Sequence, residues 1–362
     1  MLSDAGIREK RGITHNLGTD HKFGESGIGV RPRGSEYRQK FGDEWGIRER
    51  AGKKRVIRHL GRRPLDGGVV SPRWRLSDAG IRVKEGAEIG DEPGAGRPSG
   101  NKILKSGVQE DRMEFTSEEL RRYNRQLIIP DIGEEGQRKL AGAKVFVAGV
   151  GGLGSISCYY LAAAGIGHLK IADMDTVDFS NLNRQIIHWT EDIGVPKTES
   201  GARKLMNLNP HCRVETVQQK ITRKNCVALV GDCGLIVDAM DNMEGRRALN
   251  AASVQLGIPY IYGGVHQLDG LISTFIPGQT PCLECVFPDD GSTIPPETPG
   301  ILGPAAGVIA CLQAIEAIKW IVGIQGLLTG RLLSFYGYDM TFREFRISRN
   351  PDCALCGQRR SE

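Results

Sequence analysis

From residue 113 onward, apolar residues recur in two alternating rhythms. Helical spacing over 117–127 follows Thr116 and Ser117, either of which can cap a helix with Glu118 and Glu119 in its first turn. A buried run, Lys144-Val145-Phe146-Val147-Ala148-Gly149, reads as a strand, and a Gly-rich turn leads from it into an apolar helix through Ala164. Leu169 to Asp173 reads as the second strand. Helices near 199–208, 223–230 and 243–256 then alternate with strands near 213–217, 234–238 and 260–262. Such alternation implies right-handed βαβ units and a parallel sheet. Beyond Gly270 the rhythm changes to hairpin-like strands, a loop rich in Pro and Gly, a long helix over about 303–322, and strands near 331–337 and 342–347. The expected architecture is α/β: a doubly wound, mostly parallel sheet with a C-terminal antiparallel extension.

The first 112 residues have no such rhythm. They hold 20 of the 48 glycines and carry 24 Lys+Arg against 16 Asp+Glu, a net +8, whereas the remainder carries 24 against 27, a net −3. The overall charge of +5 therefore belongs to the leader and gives no ground for nucleic-acid binding. A chain this rich in Gly, Arg and Pro buries too little apolar surface to offset its ordering entropy. It repeats LSDAGIR once, at 2–8 and 76–82. Two readings stay open: a disordered basic tail, or translation that begins at Met113. The expected division is 1–112 as leader and 113–362 as one catalytic domain. No uninterrupted run of about 18 apolar residues implies a membrane span, and the N-terminus lacks a signal-peptide layout. All nine cysteines lie beyond Gly154. These features point to the cytoplasm.

Chemistry enters at Gly149-Val150-Gly151-Gly152-Leu153-Gly154, between a strand and a helix. Glycines allow a tight turn and close approach to a phosphate, and the helix N-terminus offers free N–H groups. Asp173, at the end of the next strand, can accept hydrogen bonds from a ribose, as in Rossmann-like folds. Taken alone, this motif suggests a nicotinamide dehydrogenase. Asn181, Arg184 and Lys197 argue instead for a nucleoside triphosphate, whose greater charge needs side-chain cations. Asp241 can hold Mg²⁺ at the phosphates, or else cap the helix that begins at Met243. Two Cys-x-x-Cys pairs, Cys282/Cys285 and Cys353/Cys356, match a closed structural zinc site of four thiolates. Cys158, Cys212, Cys226, Cys233 and Cys311 read as small buried hydrophobes.

Together these segments resemble a known family. Arg122-Tyr123-Asn124-Arg125-Gln126, the glycine turn, Asp173-Met174-Asp175, Ser180-Asn181-Leu182-Asn183-Arg184-Gln185, Gly194-Val195-Pro196-Lys197, Asp238-Ala239-Met240-Asp241-Asn242 and the cysteine pairs occur in one order. The region 113–358 resembles the ubiquitin-activating-type adenylyltransferases (HesA/MoeB/ThiF), closest to the molybdopterin-synthase type (MoeB). The resemblance implies that Gly152 lies under the ATP phosphates and that Asp173 binds the ribose. It also implies that Asn181, Arg184 and Lys197 contact phosphate, and that Asp241 organises Mg²⁺. Arg125 would reach the ATP of a neighbouring subunit, which implies a homodimer. The implied partner is a ubiquitin-fold sulfur carrier ending in Gly-Gly, either MoaD-like or ThiS-like. Its carboxylate would become an acyl-adenylate, with loss of pyrophosphate, for molybdopterin or thiamine synthesis. A separate sulfur donor is expected, because no rhodanese-like stretch follows Cys356. Many relatives carry a reactive cysteine in the loop before the late helix, and Pro296 takes that position here. The Pro-rich loop 286–300 is expected to cover the partner's tail. A related enzyme that activates another peptide carboxylate would share these motifs, whereas a non-catalytic dimeric scaffold would keep the zinc site but tolerate loss of Arg184 or Lys197.

Overall fold

The computed structural model describes residues 114–288 and 300–357. The leader, Met113, Pro296 and most of the loop 286–300 lie outside the described residues, as do 358–362. Helix α1 (Ser117–Leu127) is capped by Thr116, whose hydroxyl accepts from the Glu119 N–H while the Glu119 carboxylate accepts from the Thr116 N–H. This reciprocal box satisfies two donors that the first helical turn leaves free. A short helix, α2 (Gly133–Gly142), leads into β1 (Lys144–Ala148) and α3 (Gly152–Ala164). Then follow β2 (His168–Ala172), α4 (Lys197–Leu208), β3 (Arg213–Val217), α5 (Cys226–Val230), β4 (Leu235–Asp238) and α6 (Met243–Leu256). The C-terminal part is β5 (Tyr260–His266), β6 (Asp269–Phe275), α7 (Leu283–Val286), α8 (Gly303–Val322), β7 (Arg331–Tyr336) and β8 (Thr341–Arg346).

One eight-stranded sheet runs β3-β2-β1-β4-β5-β6-β7-β8. The first five strands are parallel, and β6, β7 and β8 join antiparallel. The central parallel strands β1, β4 and β5 are buried on both faces, which is why their sequences are almost continuously apolar, whereas the edge strand β3 (Arg213-Val214-Glu215-Thr216-Val217) is partly exposed. Alternate residues serve opposite layers. Val145 and Val147 pack with Leu161, Ile166, Leu205 and Ala314 on one side, while Phe146 and Ala148 pack with Leu249, Ala252 and Tyr260 on the other. Burying a side chain such as Phe146 contributes about 1.5–3 kcal/mol. Four of the five remaining cysteines are fully buried and Cys311 is half-buried, and burial pushes their thiols up, to about 12 for Cys212 and Cys226.

Helix α8 is 20 residues long with a hydropathy of 1.6, enough by length and composition to cross a membrane. Here it lies against α3, β5 and β6 and brings polar groups to fixed partners. The Gln313 amide donates to the carbonyls of Asp238 (2.6 Å) and Ile261 (3.2 Å), and Glu316 accepts from the Thr274 hydroxyl and the Leu328 N–H. The Gln313 bonds fix α8 against the carboxyl end of β4, where the sheet order changes direction.

Candidate active site

Strand β1 is followed by β2 on one side and reached by β4 on the other, so the crevice between β1 and β4 is the topological switch point. The glycine turn fills that position. Gly149 sits at φ +100°, and a Cβ there would meet the Ala239 carbonyl oxygen at 2.6 Å. A Cβ on Gly154 would lie 2.0 Å from the Gly149 oxygen. Packing alone therefore demands these two glycines. Gly151 and Gly152 differ: a Cβ on either would make only ordinary contacts, none closer than 3.5 Å, so packing does not demand a glycine at either position. Free N–H groups at a helix N-terminus suit an anion.

Asp173 stands beside this turn. Its Oδ2 accepts from the Val150 N–H (2.8 Å) and its Oδ1 from the Asp175 N–H (2.9 Å). Burial raises its pKa against the opposing pull of Lys197. Each oxygen keeps a lone pair for a further donor such as a ribose hydroxyl. The connection from β2 to α4 folds back on itself: Val177 N–H donates to Val195 O and Gly194 N–H to Val177 O. This brings Lys197, the first residue of α4, to Asp175, with Nζ 2.8 Å from Oδ2. Lys197 is only 6% exposed, whereas Asp175 is largely open, so the cation sits at the rim of the crevice with a replaceable partner.

Arg184 follows the short helical turn Phe179–Asn181. Its backbone oxygen and its Cγ lie 3.6 and 3.8 Å from a Cβ built on Gly152. Its guanidinium donates only to neutral oxygens, Ser180 O (2.9 Å) and Asn183 Oδ1 (3.1 Å), so among the described residues no carboxylate balances its charge. Asn181 closes a reciprocal box with Asp178: its Oδ1 accepts from the Asp178 N–H, which leaves its NH₂ free to donate. Asp241 is exposed, and its Oδ1 accepts from the Asn242 amide (2.9 Å). Asn242, not Asp241, caps α6, with Oδ1 accepting from the Gly245 N–H at 2.8 Å. The capping role considered for Asp241 thus falls to its neighbour, and the Asp241 carboxylate stays exposed. Arg125 lies exposed on α1; among the described residues no hydrogen bond or ion pair ties it to the other candidates.

Two groups invisible to motif reading brace the crevice. His188 is buried between Val150 O and Ser200 Oγ, each at 2.9 Å. Asp192, fully buried, is held by Arg203, Lys204 and the Trp189 N–H. Beneath β4, Asp238 accepts from the Tyr260 hydroxyl (2.7 Å) and pairs with the buried Arg246, which also donates to Met240 O. That network fixes the loop carrying Asp241.

The four motif cysteines converge at the far end of the β6–α7 connection. Their Sγ atoms all lie within 4.8 Å of one another, with separations of 3.9 Å (Cys282–Cys285), 3.7 Å (Cys282–Cys353) and 3.4 Å (Cys285–Cys356). Tetrahedral zinc with bonds of about 2.3 Å would set sulfurs about 3.8 Å apart, whereas a disulfide needs about 2.05 Å. The spacing fits a metal. The Asn350 N–H also points at Cys285 Sγ (3.4 Å), as donors do toward a ligating thiolate.

Comparison with known proteins agrees with this geometry. The family model described as "ThiF family" matches residues 123–355. The chain is 40% identical over 253 residues to a sulfur carrier protein adenylyltransferase of Thermus thermophilus, spanning 68% of this chain and 93% of that protein. It is 39% identical over 249 residues to the SAMP-activating enzyme E1 of Haloferax volcanii, spanning 68% and 92%. The crystal structure of E. coli MccB with AMPCPP and MccA superposes with a TM-score of 0.60 at 27% identity, covering 65% of this chain and 74% of that one. With a glycine turn at the switch point, cations gathered beside it and a family match over most of the described residues, the chain belongs to the ThiF family.

Proposed function

We propose that residues 113–362 form an adenylyltransferase domain that activates the terminal glycine carboxylate of a ubiquitin-fold sulfur carrier with magnesium ATP. The observation that carries this reading is the crevice itself: a glycine turn at the switch point in which Gly151 and Gly152 are not required by packing, with Arg184, paired to no carboxylate among the described residues, against it. The most similar relatives named above act on sulfur carrier or SAMP proteins, and they match along nearly their whole length.

In this reading the amides at the start of α3 hold the phosphates, and Asp173 accepts from the ribose. Asn181, Arg184 and Lys197 gather on the triphosphate; Lys197 exchanges Asp175 for phosphate. Asp241 would hold Mg²⁺, which when bound neutralises phosphate oxygens. The carrier's carboxylate is ionised at neutral pH and needs no general base. One of its oxygens attacks the α-phosphorus, the bond from that phosphorus to the oxygen bridging to the β-phosphate breaks, and pyrophosphate leaves with the electron pair. Positioning and charge neutralisation lower the barrier. Arg125, unengaged on α1, completes the site of a second subunit in a homodimer. The four cysteines hold a structural zinc that ties α7 to the C-terminus. Sulfur comes from a separate donor, and with Pro296 where many relatives place a cysteine, the reading includes no covalent step on that loop. Molybdopterin synthesis is favoured over thiamine synthesis. The reading carries a cytoplasmic location, where thiolates stay reduced.

Likeness to MccB, crystallised with MccA, supports a second reading, activation of another peptide's carboxylate. The higher identity and fuller coverage of the carrier-activating relatives favour the first. Exchange of labelled pyrophosphate into ATP separates them: it should depend on an added carrier ending in Gly-Gly and vanish when that carrier loses its last glycine. Exchange indifferent to every such carrier would overturn the proposal.

A further inference from the structure

Asn250, on α6, is 1% exposed. Its side chain crosses to α7, where Oδ1 accepts from the Leu283 N–H (3.1 Å), one residue beyond Cys282. A backbone N–H needs an oxygen, so that bond fixes which end of the amide is the NH₂ group. Nδ2 is buried and has no hydrogen-bond partner among the described residues. Asn250 also lines a cavity of about 10 Å³ whose walls include Ser253, Thr280, Cys282 and Cys356. That volume holds about one water molecule. The Ser253 hydroxyl donates to Ile258 O (2.6 Å), which leaves its oxygen lone pairs for another donor. A buried donor, a hydroxyl oxygen and two cysteines thus border a space the size of one water, and such a water needs two to four polar partners. The Leu283 N–H alone does not call for an amide, since an aspartate would accept it too. An amide adds a donor and brings no negative charge toward the cysteines.

We propose that Asn250 supports the zinc site through a buried water: its NH₂ group donates to a water in this cavity, and the water donates to the thiolates on the Cys282–Cys356 side. The proposal rests on the structural zinc set out above. Thiolates around one divalent cation carry an excess of negative charge, and donors directed at sulfur stabilise it. The Asn350 N–H does this at Cys285 (3.4 Å). Asn250 supplies the same kind of support from α6, with the water spanning the remaining gap.

The experiment loads the full chain with Co²⁺ or Zn²⁺, as wild type, Asn250→Asp and Asn250→Leu. Asn250→Asp keeps the acceptor for Leu283 and removes the donor, whereas Asn250→Leu removes both without adding charge. Saturated with Co²⁺, both variants should show sulfur-to-cobalt charge-transfer bands at longer wavelength than wild type, because a thiolate that loses a donor gives up its electrons more easily. Zn²⁺ affinity, read by competition with a chromogenic chelator, should fall about tenfold or more in both. Lower affinity with unmoved bands would mark Asn250 as a packing residue, and a shift confined to Asn250→Asp would reduce it to an effect of added charge; either overturns the proposal. If Asn250→Asp does not fold, Asn250→Leu decides alone, and Asn250→Ala takes the place of Asn250→Leu should that chain not fold. A wild-type chain that binds neither metal would defeat the four-thiolate site itself. Wild-type binding with unmoved bands in the variants defeats only this inference.

Discussion

The Nε2 of His188 lies 2.9 Å from the carbonyl oxygen of Val150, in the middle of the glycine turn. A carbonyl only accepts, so Nε2 carries the proton, and Nδ1 faces the Ser200 hydroxyl on α4. One imidazole thus joins the phosphate cradle to the helix that begins with Lys197. Burial pushes its pKa down to about 4; Lys204 and Lys197 push the same way, against the opposing effects of Val150 and Asp192. Between about 6.5 and 4 the unfolded chain therefore binds the proton and the folded one does not. The stability linked to this group is full above about pH 6.5 and is lost as the pH falls toward 4, by about 3 kcal/mol at one pKa unit per 1.4 kcal/mol. Urea unfolding of wild type should show that loss, and His188→Gln should flatten it; parallel curves for the two proteins would contradict the assignment.

Asp241 and Asn242 are adjacent but have separable tasks. Asn242→Ala removes the α6 cap and should cost about 1 kcal/mol of stability. Asp241→Ala leaves the cap in place and should shift the melting temperature little, yet raise the Mg²⁺ concentration needed for exchange by tenfold or more. Thermal melts and magnesium titrations of both variants read this directly. A reversed pattern would return Asp241 to a structural role.

Arg184 meets only neutral oxygens, and Lys197 is held at the rim by an exposed carboxylate. Arg184→Ala or Lys197→Ala should reduce ATP–pyrophosphate exchange by about 10²-fold or more, because each removes charge where phosphate charge develops. Wild-type exchange in either variant would exclude that residue from the mechanism.

Sulfur separations of 3.4–3.9 Å imply that Cys353→Ser breaks a metal site rather than a packing contact. Metal analysis should show about one zinc per chain in wild type and its loss in the variant, together with a lower melting temperature. Full zinc content in the variant would refute the four-thiolate site.

Arg125 should act across subunits. Mixing Arg125→Ala chains with Arg184→Ala chains, each weak alone, should restore part of the exchange activity, since one of the two sites in a mixed dimer is intact. No recovery on mixing would place Arg125 outside the neighbour's site.

Periodicity made most of this fold legible. The helix over 117–127 and the long helix over 303–322 have the bounds their apolar spacing implies, and the parallel strands other than β5 fall within a residue or two of their apolar runs. Where local hydrogen bonding competes, the pattern misleads. The helix expected over 223–230 begins only at Cys226, because Asn225 Oδ1 takes the Thr222 N–H and hydroxyl into a turn. Helix α2 escapes notice because Gly133, Gly136 and Gly142 dilute its signal, yet Gln137, Leu140 and Gly136 are buried in it. Strand β5 runs on to His266 through Gly263 and Gly264, where glycines hide a strand that must pass close to Gln313 and Tyr262. In the site, sequence order reveals the glycine turn, Asp173 and the cations. His188 and Asp192 are set by side-chain contacts, His188 with Val150 and Ser200 and Asp192 with Arg203 and Lys204, and motif spacing carries no trace of those.

The proposed reaction makes a new bond between a carrier's last carboxylate and AMP. It is tested most directly by the intact mass of a purified Gly-Gly carrier after incubation with this protein, ATP and Mg²⁺ in the absence of any sulfur donor. The carrier should become heavier by one adenylyl group, with pyrophosphate released in equal amount, and a carrier lacking its terminal glycine should stay unchanged. An unmodified carrier beside a chain that binds a nicotinamide dinucleotide firmly and ATP not at all would contradict it.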